Sequence, residues 1–319
     1  MFSKIGYGLL MGVSRMPFRL LYVLSDVASW LLMYLVRYRR TTVMDNLRRC
    51  FPDKSPAWRR RIARRFYRGF TDTMLESLKM FSLPPEQARE RIRYENPEEF
   101  ERLLSSGRNH IMVFGHYANW EWLMFTKLLY PRLHAVALYQ RIENEFVNRC
   151  ALQARERFGM QALQAKHALL GLSRLRNDGQ TMVALVADQS PARHLIRHWT
   201  RFFDVETPVH IGMHQLAVAL KYDVIFLDMR RTRRGYYRVR ATRIYTPEEQ
   251  VQPYRIVDRF FALLEAQIRE KPEDWLWSHR RWKYCPRPPH PEEAESPREK
   301  TAGRSGAGNE KKNDGAVAE

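Results

Sequence analysis

The stretch Ile111-Met112-Val113-Phe114-Gly115-His116-Tyr117-Ala118-Asn119-Trp120-Glu121-Trp122 constrains this chain more than any other. Its first four residues are an apolar run with β-branched and aromatic side chains, the pattern of a buried strand. Gly115 permits a tight turn, and Asn119 is placed to cap a helix carrying Trp122, Leu123 and Phe125. His116 then lies at the carboxyl end of a strand, with Glu121 in the first turn of the next helix. Residues five apart in one helix diverge by about 140°, so the His116 ring meets Glu121 only from the loop before it. In that arrangement the carboxylate fixes the imidazole tautomer and stabilises the imidazolium, while the other nitrogen takes a proton from a substrate. The plainer alternative is a hydrogen-bonded rim histidine beside a glutamate that complements the helix dipole. Spacing alone leaves both open.

Strand-like runs recur at 134–139, 181–187, 224–227 and 236–240. Helical patterns separate them near 145–158, 166–177 and 209–221, and an amphipathic helix follows at 256–268. This alternation predicts an α/β fold: a mixed, largely parallel sheet covered by helices. Ligands of such sheets bind beyond the carboxyl ends of the strands, where His116 and the pair Asp188-Gln189 both fall. No glycine-rich phosphate loop, paired-cysteine zinc site or nucleophile elbow is present. His194, His198, His210 and His214 lack a metal-ligand spacing, so no metal is expected. Three scattered cysteines suit a reducing compartment.

The two ends read differently. Leu20 to Val36 is a 17-residue run with one charge, Asp26, near the lower limit for a membrane span. It is either a span or an interfacial helix. Arg37, Arg39 and Arg40 follow, which by the positive-inside rule keep the remainder in the cytoplasm. Residues 1–40 are therefore expected to anchor the chain on a membrane, and 41–285 to form the catalytic domain. Residues 286–319 lack large apolar side chains almost entirely and are expected to be a disordered tail. Lys and Arg number 54 against 35 Asp and Glu, a formal +19, which calls for anionic partners. Within residues 1–80, 16 basic residues face five acidic ones, and beside an apolar anchor each gains about 1 kcal/mol near an anionic bilayer.

The segment His116-Tyr117-Ala118-Asn119-Trp120-Glu121 resembles the H-x4-D/E signature of glycerolipid acyltransferases, in the form used by the lipid A late acyltransferases. The likeness continues through Arg141 and Asn144, Arg157-Phe158-Gly159, Asp188-Gln189, Phe202-Phe203, Thr207-Pro208 and Gly212. It ends in Trp275-Leu276-Trp277-Ser278-His279-Arg280-Arg281-Trp282, and covers about residues 1–284. Ala118 and Asp204 stand where glycines are usual, the former harmless if its φ is negative, and Ile142 where a proline is. The resemblance implies transfer of a fatty acyl group from acyl carrier protein to a hydroxyl of a phosphorylated glycolipid, the lipid A precursor, on the cytoplasmic side of the inner membrane. It implies His116 as general base with Glu121 orienting it, and no cofactor beyond the acyl donor. Arg141, Asn144, Asp188, Gln189 and Arg280 are implied substrate contacts. The oxyanion would be met by Arg141 or a backbone N–H near Gly115. Two other readings remain: acylation of another membrane lipid, and nucleic-acid binding through Arg230-Arg231-Thr232-Arg233-Arg234 and the early arginines. The apolar anchor, and the lack of a nucleic-acid motif, speak against the last.

Overall fold

A computed structural model describes residues 2–285, so the expected tail lies outside the described residues. The strands are β1 (Ile92–Tyr94), β2 (His110–Phe114), β3 (His134–Tyr139), β4 (Met160–Gln164), β5 (Thr181–Val186), β6 (His198–Phe202), β7 (Val205–Val209), β8 (Asp223–Arg233) and β9 (Tyr236–Tyr245). Seven of them form one sheet in the order β1-β9-β8-β2-β5-β3-β4. Every neighbouring pair is parallel except β8 and β9. Helices cover both faces, as the alternation predicts. β2 sits between β8 and β5, and all five of its residues are buried, which is why it reads as a continuous apolar run.

Several boundaries differ from expectation for identifiable reasons. The basic stretch at 41–83 forms two helices, Arg40–Cys50 and Pro56–Lys79. The second starts where Ser55 accepts from Trp58 N–H and Pro56 takes the first helical position. The helix expected over 166–177 shrinks to Ala168–Ser173, and strand β4 precedes it. The hairpin β6–β7 turns through Phe203 and Asp204, at φ 52° and 57°. With no glycine in that turn, the sequence gives no turn signal. Asp204 thus holds the left-handed conformation the usual glycine would adopt, which Asp tolerates better than most residues.

At the N-terminus, Pro17 separates the helix Phe2–Arg15 from Phe18–Trp30, which continues as a π-helical turn over Leu31–Leu35. The stretch Phe18–Leu35 is long and apolar enough to cross a membrane. Leu20, Val23, Val27, Trp30 and Leu35 are exposed on it. Its polar side faces the protein. Ser25 donates to Asp72 at 2.6 Å, and Asp26 pairs with Arg68 and Arg234. The one charge in the apolar run therefore belongs to an ion-pair network with the helix Pro56–Lys79 and the β8–β9 turn.

Candidate active site

The register of two central strands creates the site. Phe114 pairs with Val186 at the ends of β2 and β5, so the residues two positions beyond them, His116 and Asp188, come abreast. Gly115 makes the approach possible, since a Cβ there would lie 2.7 Å from Leu264 Cδ1 and 3.3 Å from Asp188 Oδ2. Its φ is not positive; it is required for space, not for turn geometry.

His116 Nδ1 donates to Asp188 Oδ1 at 2.5 Å, and the His116 backbone N–H donates to Oδ2 at 3.0 Å. The Trp275 indole N–H adds a third bond to Oδ2, at 2.8 Å. Burial pushes the Asp188 carboxyl up. The His116 charge and these three donors outweigh it and hold the group at about 2. An ionised carboxylate can only accept, so the ring proton sits on Nδ1 and the neutral ring presents Nε2 as acceptor. The Gln189 amide meets Nε2 at 3.2 Å. Trp120 packs edge-on against the imidazole, with centroids 5.1 Å apart.

Nε2 stands at a cavity of about 260 Å³ whose walls include Trp120, Leu138, Ile142, Leu185, Val186 and Ser190. Glu121 and Arg155 line it too, and they bond each other: both Glu121 oxygens accept from Arg155 Nη2, at 3.1 and 3.3 Å. The expectation that Glu121 orients His116 is therefore corrected in this structure, where Asp188 makes that bond. The cause is local. Residues 120–125 form a 3₁₀ helix, capped by Asn119, that directs Glu121 toward the helix Glu145–Glu156.

The other expected residues scatter. Gln189 joins the site, but Arg141 is exposed and paired with Glu145 at 3.0 Å. Asn144 caps the helix Glu145–Glu156 by accepting from Val147 N–H, and Arg280 is exposed. The backbone donors near Gly115 are also committed. His116 N–H is on Asp188, Tyr117 N–H on the Gly115 carbonyl, and Ala118 N–H on the Asp274 carbonyl. Ala118 has φ 51°, so the exchange from glycine is not free of strain. Among the described residues, no three His, Cys, Asp or Glu side chains converge as a metal site.

The sequence profile of the bacterial lipid A biosynthesis acyltransferases matches residues 2–284, nearly the whole described chain. The chain belongs to this family. It is thus an acyltransferase of lipid A biosynthesis. No curated protein matches it by sequence.

Several motifs of this acyltransferase that lie far apart in sequence meet around Asp188. Trp282 donates to Thr207 Oγ1 at 2.8 Å, and the buried Arg281 donates to the Pro208 carbonyl at 2.7 Å. Phe202 packs against both Trp275 and Trp282. His279, which burial pushes down to about 4, accepts the Ser190 N–H at 3.1 Å. The terminal tryptophan run is a strap that fixes Asp188 and the segment after it. Sequence reasoning missed Arg155, Trp275 and His279 as site residues, although the last two lie within the quoted run.

Proposed function

We propose that this enzyme transfers a fatty acyl group from acyl carrier protein to a hydroxyl of a lipid A precursor, with His116 as general base. The observation that carries the reading is the His116–Asp188 pair, with Nε2 turned to a partly apolar cavity. An alcohol is a weak nucleophile near neutral pH. Nε2 removes its proton as it attacks the thioester carbonyl, and Asp188 steadies the resulting imidazolium. The tetrahedral oxyanion requires donors, and the Gln189 amide and the Arg155 guanidinium are among those lining the cavity. Glu121 acts here by holding Arg155. Collapse of the intermediate expels the carrier thiolate, which takes the proton back from His116.

The exposed apolar stretch Phe18–Leu35 supports attachment to the inner membrane, and the arginines that follow it support a cytoplasmic catalytic domain. The nucleic-acid reading loses its main support. Arg230 pairs with Asp228 and Glu270, Arg231 with Asp72, and Arg234 with Asp26 and Asp72. The same pairings weaken this run as a docking patch for acidic carrier protein. Mass spectrometry of membrane lipids from cells with and without the gene tests the proposal. Loss of one acyl chain from lipid A is expected, whereas a change confined to another lipid class would reject the acceptor.

A further inference from the structure

A second cavity, of about 270 Å³, lies where β8 turns into β9, and is lined by Arg91, Arg93, Arg233, Arg238, Glu90 and Tyr236 among others. Its basic residues differ from their neighbours in the turn. Arg230, Arg231 and Arg234 have short carboxylate pairs. Arg91, Arg93 and Arg233 have none among the described residues, and Arg238 has only Glu95 at 3.9 Å. Two guanidinium groups are nonetheless gathered about one ring, with Arg233 3.8 Å and Arg91 4.9 Å from the centroid of Tyr236. The lining thus holds four arginines against a single carboxylate, Glu90, with which none of them is paired; such an excess favours an anion from outside, and guanidinium forks match phosphate geometry.

The position of the cavity narrows the source of that anion. Arg91 donates to the Gly235 carbonyl at 3.1 Å and lies 3.6 Å over the ring of Phe18, the first residue of the apolar helix. Gly235 has φ 72°, and a Cβ there would collide with the Tyr22 hydroxyl of that same helix. The turn is thus seated directly on the helix, beside the exposed Leu20, Val23 and Leu24. An anion in the cavity has an apolar surface next to it.

We propose that this cavity binds the phosphate of an anionic membrane phospholipid, whose acyl chains lie along the exposed face of the Phe18–Trp30 helix. It would fix the height and tilt of the enzyme at the bilayer, separately from the acyl-transfer site. The test is the thermal stability of the full chain in neutral-detergent micelles as phosphatidylglycerol is added, because a ligand bound only by the folded state raises Tm. Phosphatidylglycerol should raise the wild-type Tm, and phosphatidylcholine should not. Arg93→Gln with Arg233→Gln, both exposed, should need at least about tenfold more lipid for the same shift, given about 1 kcal/mol per basic residue. Arg93→Lys with Arg233→Lys keeps the charge but loses the fork, and should fall between. The remote exposed pair Arg174→Gln with Arg176→Gln should leave the titration unchanged. Equal weakening by the remote pair would mean diffuse attraction and overturn the site. An equal shift from inorganic phosphate at the same concentration would make the ligand free phosphate and not a lipid. If the cavity variant titrates like wild type with lipid but loses a shift produced by acidic carrier protein, the partner is a protein and the lipid assignment fails.

Discussion

Asp188 and Glu76 are both buried carboxylates that accept three side-chain or backbone donors, yet the protein uses them in opposite ways. Asp188 accepts from the His116 ring, the His116 N–H and Trp275. Glu76 accepts from Tyr22 at 2.9 Å, from Asn119 at 2.8 Å and from Tyr237. Burial pushes both up. At Asp188 the interaction with His116 and the donors around the carboxylate reverse this and hold the group at about 2. At Glu76 the donors are neutral, the nearby Arg231 only partly offsets burial, and the carboxyl stays raised. Asp188 thus holds a ring whose far nitrogen faces a cavity, while every hydrogen bond at Glu76 ends inside the protein. A buried, well-bonded carboxylate is therefore not itself a sign of chemistry; what matters is whether a titratable atom beyond it reaches open space. Glu76 has a different consequence. It accepts at once from Tyr22 of the apolar helix and Asn119 of the loop carrying His116, so that helix and the site share one support.

The largest effect expected is on activity. His116→Ala should lower acyl transfer by about 10²–10⁴-fold with the fold and membrane association retained. Steady-state rates checked beside circular dichroism measure this, and activity within about tenfold of wild type would remove the base. At the other centre, Glu76→Leu should cost about 3–5 kcal/mol, because it leaves the donors of Tyr22, Asn119 and Tyr237 without their acceptor. Chemical denaturation of the detergent-dispersed protein would show it. A cost below about 1 kcal/mol would mean that the apolar helix and the site loop are not jointly supported.

The pH dependence separates the centres by sign. The Asp188 carboxyl is lowered from 3.8 to about 2 in the folded state, so the unfolded chain binds its proton first. Its contribution, about 2 kcal/mol, is complete above pH 4 and is lost as pH falls toward 2. Glu76 and Asp72 are raised by burial, so protonating them favours the folded state as pH falls. Asp188→Asn should flatten the acid limb between about pH 4 and 2, relative to wild type, in pH-dependent denaturation. An unchanged limb would contradict the low value for Asp188. The smallest effect belongs to Ala118, buried at φ 51° beside the site. Ala118→Gly should stabilise by about 0.5–1 kcal/mol, left-handed strain relieved outweighing chain entropy gained. A lower Tm would show that the alanine methyl is worth more than the strain.

The sheet and the position of the site were legible because they follow from periodicity. Apolar runs at 111–114 and 181–186 could only be buried strands, and polar residues just beyond them mark the crevice. Which carboxylate meets His116 was not legible. It depends on the Phe114–Val186 register, a pairing between residues 72 apart that spacing within one segment cannot reveal. Spacing and resemblance alike drew attention to Glu121, the carboxylate nearest in sequence, and the resemblance to Arg141, whose neighbour Glu145 occupies it instead. The β6–β7 hairpin was hidden by a turn without glycine, and β4 by its polar alternation at a sheet edge. Asp26, the odd charge in an apolar run, made sense only once Arg68 and Arg234 were found beside it.

In this structure Asp188 and not Glu121 holds the His116 imidazole proposed as the base, and one comparison of rates tests whether that pairing matters for transfer. Asp188→Asn and Glu121→Gln should be assayed side by side for acyl transfer from acyl carrier protein to lipid A precursor, resolving kcat from KM. Asp188→Asn removes the charge opposite the imidazolium and should lower kcat by about 10²-fold or more. Glu121→Gln loosens Arg155 at the cavity wall and should cost about tenfold or less, part of it in KM. A larger loss of kcat for Glu121→Gln than for Asp188→Asn would contradict the account.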